Sequence, residues 1–126
     1  MRTILVVDDH IATLQTLCLI LKAHKFNVLS ASDAREAQNK FTVSEVDMVI
    51  VDHGLLGISG ADLAEQFKAT RDVLIIMLSG NPELLGRPEW VDLLLAKPIS
   101  VPQLLAEIDG LFSSGGKPNN SRQRAN

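Results

Sequence analysis

Four polar sites in this chain of 126 residues each follow directly after a short apolar run. In chain order these sites are Asp8-Asp9, Asp52, Ser79-Gly80 and Lys97-Pro98. Apolar runs that are short, nearly continuous and rich in β-branched residues are typical of strands buried on both faces of a parallel sheet. Because ligands bind at the carboxyl ends of such strands, we expect three carboxylates, a hydroxyl and an ammonium group to meet in one cleft.

The three carboxylates of Asp8, Asp9 and Asp52 would repel one another in this cleft. Two like charges 4 Å apart repel by about 4 kcal/mol at an effective dielectric constant of 20, so a cation is needed to offset the repulsion. We expect Mg²⁺, which binds proteins through one or two carboxylates and keeps several waters. The cation would keep Asp52 ionised near neutral pH, and an ionised carboxylate can attack phosphorus to form an aspartyl phosphate.

The remaining polar groups suit the stabilisation of a phosphoryl group during its transfer. The transition state spreads negative charge over the equatorial oxygens, so positioning and positive charge supply most of the catalysis. Lys97 can bind one oxygen as a compact point charge, and Ser79 can donate a hydrogen bond to another. Gly80 beside Ser79 leaves room for a phosphodonor.

Strand and helix signals alternate along the chain, which predicts an α/β layer fold with helices on both faces of the sheet. We predict strands at about residues 3–8, 26–31, 48–51, 73–78 and 91–96. We predict helices at about 11–24, at 33–41 after a capping box, after Gly60, and at 100–112 after a second capping box. Two glycines and two prolines between residues 80 and 90 predict that any helix there is short or irregular.

Composition limits the classes of function. No apolar run approaches the length of a membrane span, and we see no signal peptide. Cys18 is the only cysteine, so no intramolecular disulfide can form, which agrees with a cytoplasmic protein; we expect Cys18 to be a small buried apolar residue. The net charge is −3, but residues 113–126 are basic, so the preceding domain carries −6 and is a poor candidate for direct nucleic-acid binding.

The polar sites and their order resemble those of the receiver domain of two-component response regulators, over about residues 2–112. The matching features are the acidic pair Asp8-Asp9, Asp52 after strand three, the loop from Asp52 to its closing Gly60, Ser79 after strand four, and Lys97-Pro98 after strand five. The resemblance implies a three-layer α/β/α flavodoxin-like fold with a five-stranded parallel sheet in the order 2-1-3-4-5. It also implies a receiver domain at 1–112, followed at 113–126 by a disordered basic tail or linker.

The resemblance further implies a role for each acidic residue. Asp52 matches the phosphoacceptor, which takes a phosphoryl group from a sensor histidine kinase or a phosphotransfer protein. Asp9 resembles the direct metal ligand and Asp8 a ligand that binds more through water. The main-chain carbonyl of Gly54 would complete the protein ligands of Mg²⁺. Such a protein is not an enzyme beyond its own phosphorylation and dephosphorylation, and it signals to a downstream protein that the sequence does not name.

The output face departs from the family pattern. Ser79 matches the switch hydroxyl and Lys97 the phosphate-binding lysine, with a cis Lys97-Pro98 peptide. Leu94, however, stands where the family usually has Tyr or Phe, and Trp90 stands where it often has glycine. We interpret these as a modified output face, with Trp90 covering the core, although an exposed Trp90 would suggest a partner contact.

Two other functions remain open. The first is an interaction module with the same fold that no longer uses phosphate, which Leu94 and the irregular segment before strand five favour weakly. The second is a phosphatase with an aspartyl nucleophile, as in the haloacid dehalogenase class. Those enzymes need two aspartates separated by one residue, whereas Asp8 and Asp9 are adjacent and are followed by His10.

Overall fold

Five parallel strands and four helices make up the part of the chain that the structure describes. The structure is a computed structural model that describes residues 1–55, 57–80 and 89–114. The strands are β1 (Thr3–Val7), β2 (Asn27–Ala31), β3 (Met48–Asp52), β4 (Leu74–Ser79) and β5 (Leu93–Ala96). The helices of the described ranges are α1 (Ile11–Ala23), α2 (Ala34–Val43), α3 (Gly60–Thr70) and α4 (Val101–Ser113).

The strands form one sheet in the order β2-β1-β3-β4-β5, and every pairing is parallel. This confirms the predicted fold class and strand order. The register brings the carboxyl ends of the central strands together, since Val7 pairs with Val51 and Asp52 pairs with Leu78. The polar residues that follow these strands therefore lie at one edge of the sheet.

Alternate residues of the strands contribute to two separate cores, one on each face of the sheet. On one face, residues such as Val49, Val51 and Met77 pack against Phe41 of α2 and Phe67 of α3. On the other face, the intervening strand residues pack against α1 and α4. Because both faces are covered by helices, the strands are apolar without alternation, as is expected for a buried parallel sheet.

Side-chain caps fix where three of the helices begin. Asp33, Ser59 and Ser100 each accept a hydrogen bond from a backbone N–H in the first turn of α2, α3 and α4. Both predicted capping residues, Asp33 and Ser100, therefore cap their helices. The capping box at the start of α2 differs from the standard arrangement in one hydrogen bond. The Glu36 side chain accepts from the backbone N–H of Ser32, whereas a standard box would have it accept from that of the capping residue, Asp33.

Two sequence predictions fall wholly or mostly outside the described residues: the short or irregular helix between β4 and β5, and the disordered tail. The tail was predicted to begin at residue 113, but Ser113 is the last residue of α4 and the backbone N–H of Ser114 closes the helix on the carbonyl of Gly110, so this boundary was placed too early. Of the helices that the structure describes, none has both the length and the apolar character that crossing a membrane requires.

Candidate metal and phosphoacceptor site

Three acidic residues meet at the carboxyl edge of the sheet. Asp8 and Asp9 follow β1, and Asp52 is the last residue of β3. Each offers one carboxylate oxygen such that all of these oxygens lie within 4.8 Å of one another. Asp8 and Asp52 are buried and Asp9 is half-buried, so the three charges converge at the end of the β1–β3 pair rather than in open solvent.

The local backbone holds Asp8 in place. Its N–H donates to the carbonyl of Ala31 at 3.1 Å, and its Oδ1 accepts from the N–H of His10 at 2.9 Å. The other oxygen, Oδ2, is buried and has no hydrogen-bond partner among residues 1–55, 57–80 and 89–114. Burial raises the pKa of the Asp8 carboxyl, and the charges of Asp52 and Asp9 raise it further, against the opposing effects of His10 and Lys97.

Such an orphaned oxygen between two other carboxylates is what a bound cation would satisfy. A buried acceptor without a donor costs about 1–3 kcal/mol, and the repulsion of neighbouring carboxylates adds to this cost. An all-oxygen donor set suits a hard cation such as Mg²⁺ or Ca²⁺. The group of Asp8, Asp9 and Asp52 therefore fits a metal ion.

Lys97 lies directly against the Asp52 carboxylate. Its Nζ is 2.5 Å from Asp52 Oδ1, and its side chain is 34% exposed whereas that of Asp52 is 10% exposed. The Lys97 backbone N–H donates to the carbonyl of Ser79 at 2.9 Å, which fixes the start of the loop after β5. The Lys97–Pro98 peptide bond is cis.

Ser79 lies at the end of β4, one residue beyond the partner of Asp52. It is buried and pairs in register with Ala96, the residue before Lys97. Gly80 follows it and is exposed, and a Cβ built there would meet no atom of the described residues within 4 Å. Ser79 thus belongs to the same edge as the aspartates and the lysine.

The loop after β3 is fixed by close backbone contacts. His53 N–H donates to the carbonyl of Leu78, and its carbonyl accepts from Gly60 N–H at 3.0 Å. A Cβ at Gly60 would collide with the Asp52 carbonyl oxygen and lie 3.0 Å from His53 Cα. The N-terminus of α3 therefore packs directly against the backbone of Asp52. This contact requires a glycine at position 60, a reason that the sequence alone does not reveal.

The remaining predicted residues lie around this site. Gly54 is exposed, and a Cβ there would be 3.8 Å from Asp52 Oδ2, so its backbone lies near the carboxylate. Leu94 and Trp90 are both half-buried and pack against the core that contains Phe41 and Phe67.

A buried ion pair that the sequence analysis missed lies towards the other end of the sheet. Lys68 Nζ of α3 is 2.8 Å from Asp92 Oδ2, and the same oxygen accepts from the N–H of Ile75 at 2.8 Å. The position of Asp92 immediately before an apolar strand is a sequence signal for a buried carboxylate. The sequence does not show that its partner is Lys68, because the two residues are 24 positions apart.

Comparisons with known proteins agree with this geometry. The family model described as the response regulator receiver domain matches residues 4–109. The sensory transduction protein RegX3 of Mycobacterium tuberculosis is 28% identical over 120 residues, which cover 92% of this chain and 53% of that protein. The phosphate regulon transcriptional regulatory protein PhoB of Escherichia coli is 30% identical over 118 residues, 88% of this chain and 52% of that protein.

A solved structure gives the same result for the fold. The response regulator TrrA of Thermotoga maritima, in complex with Mg²⁺ and BeF, has a TM-score of 0.80 and 28% identity, covering 88% of this chain and 99% of that one. This chain spans about half the length of the curated relatives it matches. On the family match and the shared fold, the chain belongs to the response regulator receiver domains of two-component signalling systems.

Proposed function

We propose that this chain is a phosphoacceptor receiver that is phosphorylated on Asp52 by a histidine kinase or a phosphotransfer protein. The observation that carries the proposal is the position of the Asp52 carboxylate. It lies at the end of a central strand, against the Lys97 ammonium and within a cluster of three carboxylates. A nucleophile, a cation that can bind a phosphoryl oxygen, and a metal-ligand set are thus held by rigid elements.

The site would hold Mg²⁺ through Asp9 and Asp52, with Asp8 acting through water and the Gly54 carbonyl as a further ligand. When bound, the ion would neutralise the carboxylates and withdraw charge from a phosphoryl oxygen. The assignment is supported by the burial of Asp8 and by its Oδ2, which no described residue contacts through a hydrogen bond. The chemistry of the donor set favours a hard cation over the softer metals that histidine or cysteine ligands select.

In the transfer step, an Asp52 carboxylate oxygen attacks the phosphorus of a phosphohistidine. A P–O bond to Asp52 forms while the P–N bond of the donor breaks, and the electron pair of that bond stays on the imidazole nitrogen, which takes up a proton. Lys97, which pairs with Asp52 Oδ1 before transfer, then pairs with a phosphoryl oxygen. Ser79 donates its hydroxyl hydrogen to another phosphoryl oxygen, which draws the end of β4 towards the site.

A groove beside Lys97 suits the docking of the phosphodonor. It has a volume of about 370 Å³ and lies between α1 and the loop after β5, lined by residues such as Ala12, Ile20, Pro98 and Ile99. Its small and apolar walls fit a helix that carries the donor histidine. We propose that this groove positions the histidine above Asp52.

The output signal would pass through Ser79 to the face that contains Leu94 and Trp90. Because phosphorylation favours one of two arrangements of that face, it changes which downstream protein binds. PhoB is a transcriptional regulatory protein, and the 118 residues that align with this chain make up 52% of its length. We propose for this chain a downstream protein partner, without direct nucleic-acid binding by the receiver itself. The cytoplasmic location stays a prediction from the sequence.

Intact-mass spectrometry with acetyl phosphate and Mg²⁺ tests the proposal. Attack by Asp52 breaks the P–O bond of the donor and releases acetate, so we expect one added phosphoryl group. The adduct should be absent from Asp52→Asn and from samples treated with a chelator. A folded wild-type protein that forms no adduct, and that does not bind beryllofluoride, would refute the proposal and favour the phosphate-independent interaction module.

A further inference from the structure

Two side chains of α2 hold the end of the edge strand β2 from outside. Glu36 Oε1 accepts from the backbone N–H of Ser32 at 2.8 Å and lies 3.3 Å from the Ser32 hydroxyl oxygen. Lys40 Nζ, one turn further along α2, donates to the carbonyl of Ser30 at 2.5 Å. The two side chains also pair with each other, since Lys40 Nζ is 3.2 Å from Glu36 Oε2. We call Glu36 and Lys40 the α2 clasp.

The α2 clasp covers the outer side of β2, the strand that borders the sheet. The carbonyl of Ala31 accepts from the N–H of Asp8 and therefore points towards β1. Because the backbone groups of successive strand residues point to opposite sides, the carbonyl of Ser30 points outwards, where Lys40 binds it. An edge strand presents unpaired backbone groups of this kind, and its end opens readily when nothing binds them. The clasp therefore fixes the last residues of β2.

The residue between the two clasped serines holds the backbone of Asp8. This residue, Ala31, is 1% exposed, pairs in register with Val7, and accepts from the Asp8 N–H at 3.1 Å. The path from the clasp to Asp8 is thus one residue of β2 and one hydrogen bond. The Asp8 carboxylate belongs to the acidic cluster, so a shift of the β2 end would displace an oxygen of the metal site.

We propose that Glu36 and Lys40 are positioning residues for the acidic site, because they fix the end of β2 and, through Ala31, the position of Asp8. This inference rests on the proposed function, since it assigns the clasp a role in binding Mg²⁺ for phosphorylation. The Lys40 and Glu36 side chains are 36% and 41% exposed, and so exposed an ion pair contributes little through its charges alone. The clasp acts instead through its hydrogen bonds to the backbone of β2.

The charge of Lys40 and its hydrogen bonds predict opposite effects on Mg²⁺ binding. Removing a positive charge from the protein favours a bound cation, although only slightly at an exposed position. Releasing the end of β2 disfavours it, because residues that orient metal ligands from outside typically change metal affinity by about 10- to 100-fold. The clasp acts one contact further from the ion, so we expect Lys40→Met to raise the dissociation constant of Mg²⁺ by about three- to tenfold.

Titration with MgCl₂, followed by NMR, measures this dissociation constant. Lys40→Met keeps the apolar stem of the side chain and removes its donors. Arg35→Ala is the matched control, because Arg35 is exposed on the same helix and its loss also removes one positive charge. This control should bind Mg²⁺ as tightly as wild type or slightly more tightly. Lys40→Arg keeps a cation with several donors and should bind Mg²⁺ more tightly than Lys40→Met.

Amide hydrogen exchange in chelator tests the backbone path without the metal. In Lys40→Met, the Asp8 N–H should exchange at least about threefold faster than in wild type, relative to the N–H of Ile50 in the centre of the sheet. Lys68→Met, which breaks the buried ion pair of α3, is the control for a general loss of stability. The ratio of the Asp8 rate to the Ile50 rate should not rise in that variant.

The proposal requires that Lys40→Met both weaken Mg²⁺ binding and speed the exchange of the Asp8 N–H. Either change alone, or neither, would overturn it, and so would equal weakening of Mg²⁺ binding in Arg35→Ala. Failure of the proposed function gives a different result. Wild-type protein would then bind no Mg²⁺, while faster Asp8 exchange in Lys40→Met would still support the hold of the clasp on Asp8.

Discussion

At the scale of single residues, Gly60 shows how closely the backbone of Asp52 is supported. Gly60→Ala should lower the free energy of unfolding by about 1–3 kcal/mol, because the new methyl group meets backbone atoms of Asp52 and His53 that cannot rotate away. Urea unfolding measures this loss. We also expect slower phosphorylation of Asp52, since the strand end must move to relieve the collision.

Gly110→Ala is the matched control for that substitution. Gly110 lies within α4, and a Cβ there would meet nothing within 4 Å. The alanine should therefore raise the free energy of unfolding, by about 0.5–1 kcal/mol, because glycine is a poor helix former. If both substitutions had the same effect on stability, the close contact of Gly60 with Asp52 would be contradicted.

The sequence predicted which polar residues meet at the edge of the sheet, but not the contacts that support them. Asp52 and Lys97 could be placed together because each follows an apolar strand, and parallel strands end at the same edge. A side chain at position 60 would collide with the backbone of Asp52 because α3 packs against the end of β3. This packing is a tertiary contact, and no local sequence pattern reveals it. The pairing of Lys68 with Asp92 was likewise hidden, since both residues look like ordinary surface charges.

At the scale of elements, the Lys68–Asp92 pair connects α3 to the start of β5. The side chains are 10% and 0% exposed, so Lys68→Met would remove the Lys68 ammonium from a buried carboxylate. We expect a loss of about 3 kcal/mol in the free energy of unfolding, measured by chemical denaturation. Phosphorylation should be preserved, because Ile75, which shares Asp92, lies at the end of β4 away from the site.

The double variant Lys68→Met, Asp92→Asn separates the ion pair from simple packing. It removes the carboxylate charge that Lys68 no longer balances and keeps an oxygen that can accept from the N–H of Ile75. It should therefore recover at least about half of the lost stability, which a double-mutant cycle would report as coupling. Additive losses would show that the two charges do not stabilise each other.

Asp92 also explains why the start of β5 was predicted two residues too early. The fifth strand was expected at 91–96, but the ladder begins at Leu93. The Asp92 carboxylate accepts the N–H of Ile75, and the backbone N–H of Asp92 donates to the Ile75 carbonyl, so pairing at this point is partly through a side chain. An apolar pattern predicts that a strand exists but not which residue begins its ladder.

Glu36 makes the start of α2 sensitive to acid. Its pKa is lowered, mainly by the hydrogen bond from the Ser32 backbone N–H and also by Lys40. A carboxyl with a lowered folded-state pKa contributes stability above its ordinary pKa of 4.5, and this contribution is lost as the pH falls through the folded-state value. Because the side chain is 41% exposed, solvent screening keeps the contribution below about 1 kcal/mol.

Glu36→Gln should therefore reduce the free energy of unfolding near neutral pH and have little effect in acid. Urea unfolding of both proteins at about pH 6 and pH 3 measures the difference, and each protein serves as its own reference. If the difference in free energy of unfolding between wild type and variant were equally large at both pH values, an electrostatic origin of the Glu36 contribution would be contradicted.

At the scale of the whole molecule, we expect the acidic cluster to link metal binding to folding. The cluster exists only when β1 and β3 are paired, so an ion that binds there binds the folded chain and not the unfolded one. Mg²⁺ at 100 times its dissociation constant should raise the free energy of unfolding by about 2.7 kcal/mol. Thermal unfolding in chelator and in a MgCl₂ series measures this gain as a rise in Tm.

Two variants and one salt control identify the cause of that rise. Asp9→Asn should lose most of it, whereas Asp8→Asn should be more stable than wild type in chelator, because it removes a buried charge from the cluster. NaCl at matched ionic strength separates metal binding from general screening of the repulsion. An equal rise in NaCl, or a full rise in Asp9→Asn, would show that the cluster is not a metal site. The positions of Asp8, Asp9 and Asp52 at the ends of their strands would then reflect common descent with other receiver domains rather than metal binding by this chain.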